Sequence, residues 1–286
     1  MAYGTNDHSV VKDNLLSPQP TLVPGVADAL QARMAARSGF EFLYVSGAAT
    51  SAVLGFPDMG VIDLGDLVAA TRTITDASGL SAVVDFDAGY GNLHVIRRGA
   101  RDLYRSGAAA LQIEDQPVDR RCGYLRSDAC VSPAEMINRL DAARQGAPDA
   151  VIIARTDALL IDGFEEALDR VSAYAEAGAD LLLVNGIRTL EELGTLCSTV
   201  NKPVVYNVSG SDRSPYIGKD EASSIGVAVV LYPIQVARAA AMAASAYLRG
   251  LESGSPPDVA LIEFGEFMDL AGWSEAAEFE DAFPPT

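Results

Sequence analysis

Eight short apolar runs, each followed by a longer stretch with helical spacing of its apolar residues, organise this chain from end to end. They are TLVPGV (21–26), FLYVSG (42–47), AVVDFD (82–87), ALQIED (110–115), VIIARTD (151–157), LLLVNG (181–186), PVVYNV (203–208) and AVVLYP (228–233). Runs of this length, nearly continuous in Val, Ile and Leu, are what strands buried on both faces require, and the segments between them supply crossover helices. Those segments include 26–38, 91–107, 133–144, 164–178 and 189–200, several closed by a Gly-Phe or Gly-Ala pair where a left-handed glycine ends a helix. Eight βα units is the count of a barrel, whereas a doubly wound open sheet needs about five or six strands. The sequence therefore predicts an α/β fold, a (β/α)8 TIM-type barrel over 21–251. A polar leader (1–20) precedes it and a helical extension (252–286) follows.

The 286 residues and a 49% hydrophobic share suffice for one large core and lie far from the composition of disorder. A formal charge of -18 argues against nucleic acid and against anionic membrane surfaces, since both select clustered Lys and Arg. No window approaches a membrane-spanning length of apolar residues and no signal-like segment opens the chain, which points to a cytoplasmic protein. The three cysteines (Cys122, Cys130, Cys197) form no CxxC and have no histidine near them, so neither a disulfide framework nor a structural zinc site is expected. With only His8 and His94 available, and His8 in the leader, catalysis has to rest on other residue types.

Polar residues gather at the C-terminal ends of the runs, where a barrel assembles its active site. Run two ends in Ser46-Gly47-Ala48, run three in Asp85-Phe86-Asp87, run four in Glu114-Asp115, run five in Arg155-Thr156-Asp157, and runs six and seven carry Asn185 and Asn207. Carboxylates from neighbouring strands converging on one mouth repel unless a cation sits among them, and an all-oxygen set suits Mg2+ or Mn2+ rather than zinc. Asp85 and Asp87 have an alternative reading as helix caps. Arg155 is either a fork for a substrate carboxylate or half of a structural ion pair. DAGYGN (87–92) lacks the third glycine of a dinucleotide fingerprint and no acid stands about 20 residues on, so a nucleotide site is not expected there. Cys122, between Arg120-Arg121 and Gly123-Tyr124, is either an ordinary loop cysteine or an acid–base group whose thiolate the arginines stabilise.

Taken together, several pieces resemble the isocitrate lyase / phosphoenolpyruvate mutase superfamily over about Thr21 to Leu251. They are Ser46-Gly47-Ala48, Gly55-Phe56-Pro57-Asp58, the stretch Asp85 to Asn92, Ile113-Glu114-Asp115-Gln116, Arg121-Cys122-Gly123 and Ala154-Arg155-Thr156-Asp157-Ala158. The resemblance implies a Mg2+-dependent barrel acting on small 2-oxo or 2-hydroxy acids. It implies that Asp58, Asp85, Asp87 and Glu114 surround the metal, with Asp85 the direct ligand. Ser46, the amides of Gly47 and Ala48, and Arg155 would hold the substrate carboxylate and 2-oxo group. Gly123, Tyr124, Asn185 and Asn207 complete the substrate-binding set, with Ser209 and Ser211 near its distal end. Cys122 corresponds to the lyases' proton-delivering cysteine, and Tyr44, two residues before Ser46, is the candidate base.

Two departures stand out: Tyr124 replaces the lyases' loop histidine, and Asn185 replaces a glutamate that orients the distal part of the substrate. The implied activity is a retro-aldol or Claisen-type carbon–carbon lyase that releases a 2-oxo acid such as pyruvate or glyoxylate. The alternatives are carbon–phosphorus mutase or hydrolase chemistry, an oxaloacetate-type hydrolase or decarboxylase, and a non-catalytic barrel. The resemblance also implies a homotetramer in which the last barrel helix, within Ile234–Leu251, exchanges between subunits.

Overall fold

The computed structural model describes residues 13–17, 19–119, 122–123, 129–209, 213–254 and 258–283. Tyr124, Arg120, Arg121, Ser211 and His8 lie outside them. The frame is a closed barrel of eight strands in sequence order. These are β1 (Thr21–Val26), β2 (Phe42–Val45), β3 (Ser81–Asp85), β4 (Ala108–Glu114), β5 (Val151–Thr156), β6 (Leu181–Val184), β7 (Val204–Asn207) and β8 (Val227–Tyr232). Every neighbouring pair is parallel, and β8 closes the ring on β1 with Thr21 opposite Val229 and Leu22 opposite Val230. Each apolar run of the sequence overlaps one strand, as the count of eight predicts, with β3, β4 and β8 starting one or two residues ahead of their runs.

Strands alternate their side chains between two faces, and here the two faces belong to two separate cores. One core, inside the ring, takes Val23, Phe42, Tyr44, Val83, Ala110, Val151, Ile153, Leu181, Leu183 and Val205. The other, between strands and helices, takes the residues in between: Leu43, Val45, Ala82, Val84, Leu111, Ile113, Ile152, Leu182 and Val184. Counting onward by twos from the inner set gives Ser46, Asp85 and Asp87, Gln112 and Glu114, Arg155 and Asp157, Asn185, Asn207 and Ser209. Interior packing thus hands over to polar chemistry at one height around the ring. Leu15, which the sequence places in a leader, is fully buried in the inner core.

The helices of interest are α1 (Ala29–Arg37), α2 (Gly47–Val53), α3 (Leu64–Ser78), α4 (Leu93–Arg105), α5 (Pro133–Gly146), α6 (Ala158–Ile161), α7 (Phe164–Glu176) and α8 (Leu190–Thr199). After these come α9 (Lys219–Ile225), α10 (Gln235–Glu252), α11 (Phe264–Leu270) and α12 (Trp273–Asp281). Asp28, Asn92, Ser132 and Thr189 cap four of them through their side chains, satisfying amides that would otherwise have no partner. Gly107 and Gly178 end α4 and α7 with φ of 95° and 96°, as the Gly-Ala pairs predict. The segments read from the sequence omit α2 and α3. A legible signal existed for α3: Asp63 and Asp66 form a reciprocal capping box, and Leu67, Thr71, Ile74 and Thr75 recur on one buried face. Among the described residues no helix is long and apolar enough to cross a membrane.

Candidate active site

The C-terminal rim encloses a cavity of about 80 Å³. On one side it is lined by Tyr44, Ser46 and Ala48 from the β2–α2 junction and by Asp85 at the end of β3. Arg155 of β5, with Asn207 and Ser209 at and after the end of β7, lines the other. Two loop segments complete it, through Asp58 and through Cys122 with Gly123. The loop cysteine singled out by its sequence neighbours therefore stands at the same mouth as the strand-end carboxylates. Its backbone amide donates to the Asp58 carbonyl at 3.2 Å, tying the two loops together.

Local folding explains why these side chains converge. Ser46 caps α2 by accepting from the Ala49 amide at 3.4 Å, so the Ser46-Gly47-Ala48 turn is the first turn of a helix whose amides open at the rim. Past the strand ends the ladder continues for one residue, with Glu114 N–H donating to the Asp87 carbonyl and Asp115 N–H to the Arg155 carbonyl. Asp87 and Tyr90 both adopt left-handed backbone (φ 49° and 60°), and the Tyr90 hydroxyl donates to Asp87 Oδ2 at 2.5 Å. Non-glycine residues pay for such conformations, and the cost concentrates where a function needs the geometry.

Register places charge against charge. Glu114 and Arg155 are direct partners across β4 and β5, and Arg155 Nη1 lies 3.1 Å from Glu114 Oε2. Arg155 also donates through Nε and Nη2 to the two oxygens of Asp157, at 2.8 and 3.1 Å. The ion-pair reading of Arg155 holds, and the residue also lines the cavity. Burial alone pushes the guanidinium pKa down, but Asp157 and Glu114, then Asp85, outweigh it and hold Arg155 well above its ordinary range. Gln116 Nε2 adds a third donor to Asp157 at 2.6 Å. An added methyl at Gly123 would meet Asp157 Oδ2 at 2.2 Å, so only a glycine lets that loop settle on this carboxylate.

Beneath the rim, Asp115 is a buried anchor. It accepts from the Thr156 hydroxyl (2.6 Å), the Asp157 amide (3.0 Å), the Tyr174 hydroxyl (2.9 Å) and Arg170 Nη1 (3.3 Å). Burial, then Asp115, push the neighbouring Cys130 thiol and Tyr174 phenol upward, so both stay protonated around it. Sequence reasoning quoted Asp115, Gln116 and Asp157 without a role. Arg139 and Arg170 were passed over, although each interrupts the apolar stripe of its helix, beside Met136 and Leu140 and beside Ala167 and Tyr174.

The four-carboxylate metal set does not assemble as one cage. Among the described residues no group of three or more His, Cys, Asp or Glu side chains is arranged to hold an ion. Asp58 and Asp85 face the cavity, Asp87 receives Tyr90, and Glu114 is neutralised by Arg155. This still fits Mg2+, which takes one or two carboxylates directly and keeps several waters. The donor set at the cavity is oxygen throughout apart from the Cys122 thiol, which suits a hard dication rather than zinc.

The barrel, its rim chemistry and the loop cysteine now meet a direct comparison: the family model described as phosphoenolpyruvate phosphomutase matches residues 12–251. The chain belongs to the phosphoenolpyruvate phosphomutase family. Within that family it is 38% identical over 257 residues to 2-methylisocitrate lyase of Aeropyrum pernix, covering 89% of this chain and 83% of that one. It is 31% identical over 281 residues to 2,3-dimethylmalate lyase of Eubacterium barkeri, covering 96% and 97%. Among solved structures, oxaloacetate acetylhydrolase in complex with the inhibitor 3,3-difluorooxalacetate superposes with a TM-score of 0.89 at 31% identity, covering 96% of each chain. The family assignment confirms the resemblance read from the strand-end motifs, and these curated relatives are lyases by name.

Tyr44 behaves differently from the sequence expectation. Burial, then the Asp85 charge, hold its phenol well above the ordinary pKa, and its hydroxyl donates to Gln112 Oε1 at 3.2 Å. A phenol so disfavoured from ionising is not a ready proton acceptor, which counts against Tyr44 as the base. It is a fixed hydroxyl at the cavity wall.

Proposed function

We propose that this enzyme is a Mg2+-dependent carbon–carbon lyase that cleaves a small 2-hydroxy di- or tricarboxylic acid and releases a 2-oxo acid such as pyruvate or glyoxylate. The observation that carries the reading is the joint placement of Arg155, Asp85, Asp58 and Cys122 around one cavity at the barrel rim. Arg155 holds the substrate carboxylate through the guanidinium hydrogens left over from Glu114 and Asp157. The Ser46 hydroxyl and the Gly47 and Ala48 amides at the start of α2 orient the same end. Mg2+, or Mn2+, held chiefly by Asp85 with Asp58, Asp87 and Glu114 acting partly through water, would supply Lewis-acid stabilisation of developing negative charge on oxygen.

The chemistry then runs as one proton off and one proton on. A carboxylate of the rim takes the 2-hydroxyl proton, the oxygen lone pair closes to the new carbonyl, and the adjacent carbon–carbon bond breaks. The bonding pair stays on the departing carbon, and the Cys122 thiol protonates it. Asn185 and Asn207, bridged by an amide hydrogen bond of 3.3 Å, border the distal end together with Gly123.

The assay is pyruvate or glyoxylate release from 2-methylisocitrate, 2,3-dimethylmalate and related 2-hydroxy acids, with and without Mg2+. Release that depends on Mg2+ supports the lyase; turnover of phosphonopyruvate or oxaloacetate in its place overturns it.

The C-terminal region supports a homotetramer built by helix exchange. No residue of α10 is buried, and Met242, Leu248, Phe264, Trp273 and Phe279 are each more than three-fifths exposed. A second copy covering this apolar surface is the reading it favours, and light scattering of the full chain tests it.

A further inference from the structure

Gln112 is a fully buried polar residue one strand step below Glu114, on the inward face of β4. Its amide makes two contacts: Nε2 donates to Asp85 Oδ1 at 3.0 Å, and Oε1 accepts from the Tyr44 hydroxyl at 3.2 Å. Asp85 and Gln112 are direct partners across β3 and β4, and Tyr44 reaches in from β2, the next strand but one. Side chains from alternate strands form one layer inside a barrel, so this contact follows from the fold.

The two ends of an amide are not equivalent. A carboxylate has no proton to give, so Asp85 demands the NH2 end of Gln112. That leaves only the carbonyl for Tyr44, and a carbonyl demands a donor. The phenol proton is thereby committed to Gln112. What Tyr44 Oη has left for the cavity it lines is its lone pairs.

We infer that Gln112 is a specificity-determining positioning residue: by holding the Tyr44 hydroxyl proton it turns Tyr44 into a hydrogen-bond acceptor toward the ligand, so the cavity selects a 2-hydroxy acid over the 2-oxo acid of the same skeleton. A 2-hydroxyl donates to those lone pairs; a 2-oxo oxygen faces them with lone pairs of its own. The inference rests on the proposed lyase reading, in which the substrate carries the hydroxyl and the product the oxo group, and it adds a physical reason for product to leave.

The test uses lactate and pyruvate, which differ only in bearing O–H or C=O at carbon two, titrated calorimetrically in the presence of Mg2+. A buried hydrogen bond gained against one acceptor–acceptor contact corresponds to a preference of about tenfold for one lactate enantiomer in the native protein. Gln112→Met, which keeps length and apolar packing, frees the phenol proton to turn toward the cavity; the ratio is expected to fall to about unity or invert. Tyr44→Phe removes the acceptor and gives the same loss. In the double variant Gln112→Met adds nothing further, because both changes act on one oxygen.

No preference in the native protein, a ratio unchanged by Gln112→Met, or additive losses in the double variant would each overturn the inference. If Gln112→Met does not fold, Tyr44→Phe alone still decides whether the preference resides at that oxygen. Binding is read without turnover, so the two readings fail separately. A protein that prefers lactate through Gln112 yet cleaves no 2-hydroxy acid refutes only the lyase reading, and an active lyase with no such preference refutes only this one.

Discussion

Asp157→Asn is the substitution that most sharply tests the electrostatics of the rim. Asp157 has no exposure and takes three donors: Arg155 Nε at 2.8 Å, Arg155 Nη2 at 3.1 Å and Gln116 Nε2 at 2.6 Å. Asparagine matches its shape but replaces one acceptor oxygen by a donor NH2, which then confronts an N–H whichever way the amide is turned. The change also leaves Arg155, only 9% exposed as a side chain, with Glu114 as its remaining ion-pair partner among the described residues. Removing one member of a buried pair costs about 3–5 kcal/mol, and Glu114 keeps this case near the lower figure. At about 2–3 °C per kcal/mol for a chain of this size, Tm is expected to fall by about 6–9 °C. The pair is buried, so 1 M salt should leave that difference standing, unlike a surface bridge. Differential scanning calorimetry of both proteins at low and high salt measures it. A Tm within about 2 °C of the native value would mean that Arg155 is held by something other than its two carboxylates.

Cys122→Ser is expected to lower kcat by at least about 100-fold, since a serine hydroxyl is a far weaker acid, while calorimetry still finds Mg2+-dependent binding of a 2-oxo acid; unchanged turnover removes the thiol from the mechanism. Gly123→Ala forces a methyl to 2.2 Å from Asp157 Oδ2, so the loop must lift; a raised KM with little change in Tm is expected, and steady-state kinetics beside calorimetry reads both. Burial pushes the Cys197 thiol up to about 11. Only the thiolate reacts, and below the pKa its fraction grows about tenfold per pH unit, so iodoacetamide labelling of Cys197 should be slow at pH 8 and rise about tenfold per pH unit toward pH 11, as mass spectrometry of the alkylated peptide follows.

The barrel was legible because its strands are buried on both faces, so each left an apolar run too short for a helix and the runs could be counted. The rim was legible for a related reason: Asp85, Glu114, Arg155 and Asn207 interrupt apolar runs at their ends, where nothing about strand packing asks for a polar group. Gln112 left the same mark inside ALQIED, three positions before the run's last residue, yet a single polar residue within a strand has no meaning until its partners on β2 and β3 are known. The roles of Arg139 and Arg170 were not legible. Each interrupts the buried apolar face of its helix, Arg139 between Met136 and Leu140 and Arg170 between Ala167 and Tyr174, but the acceptors they reach, the Gln116 carbonyl at 2.6 Å and Asp115, come from other elements. Sequence shows which carboxylates share a rim but not that the register pairs Glu114 with Arg155 across β4 and β5.

A ring has no natural first member. Since β8 pairs with β1 through four successive residues, as firmly as other neighbours join, the position of the termini is immaterial to closure. The residues of the rim arrive from β2, β3, β4, β5 and β7, so reopening the polypeptide on the far side of the barrel, at the turn around Gly79 that leads into β3, would leave every one of them in place. Cutting the protein into two separate pieces is a different matter. Any half would expose two raw sheet edges and carry an incomplete cavity, which makes the catalytic mouth indivisible: it can be re-threaded but not shortened.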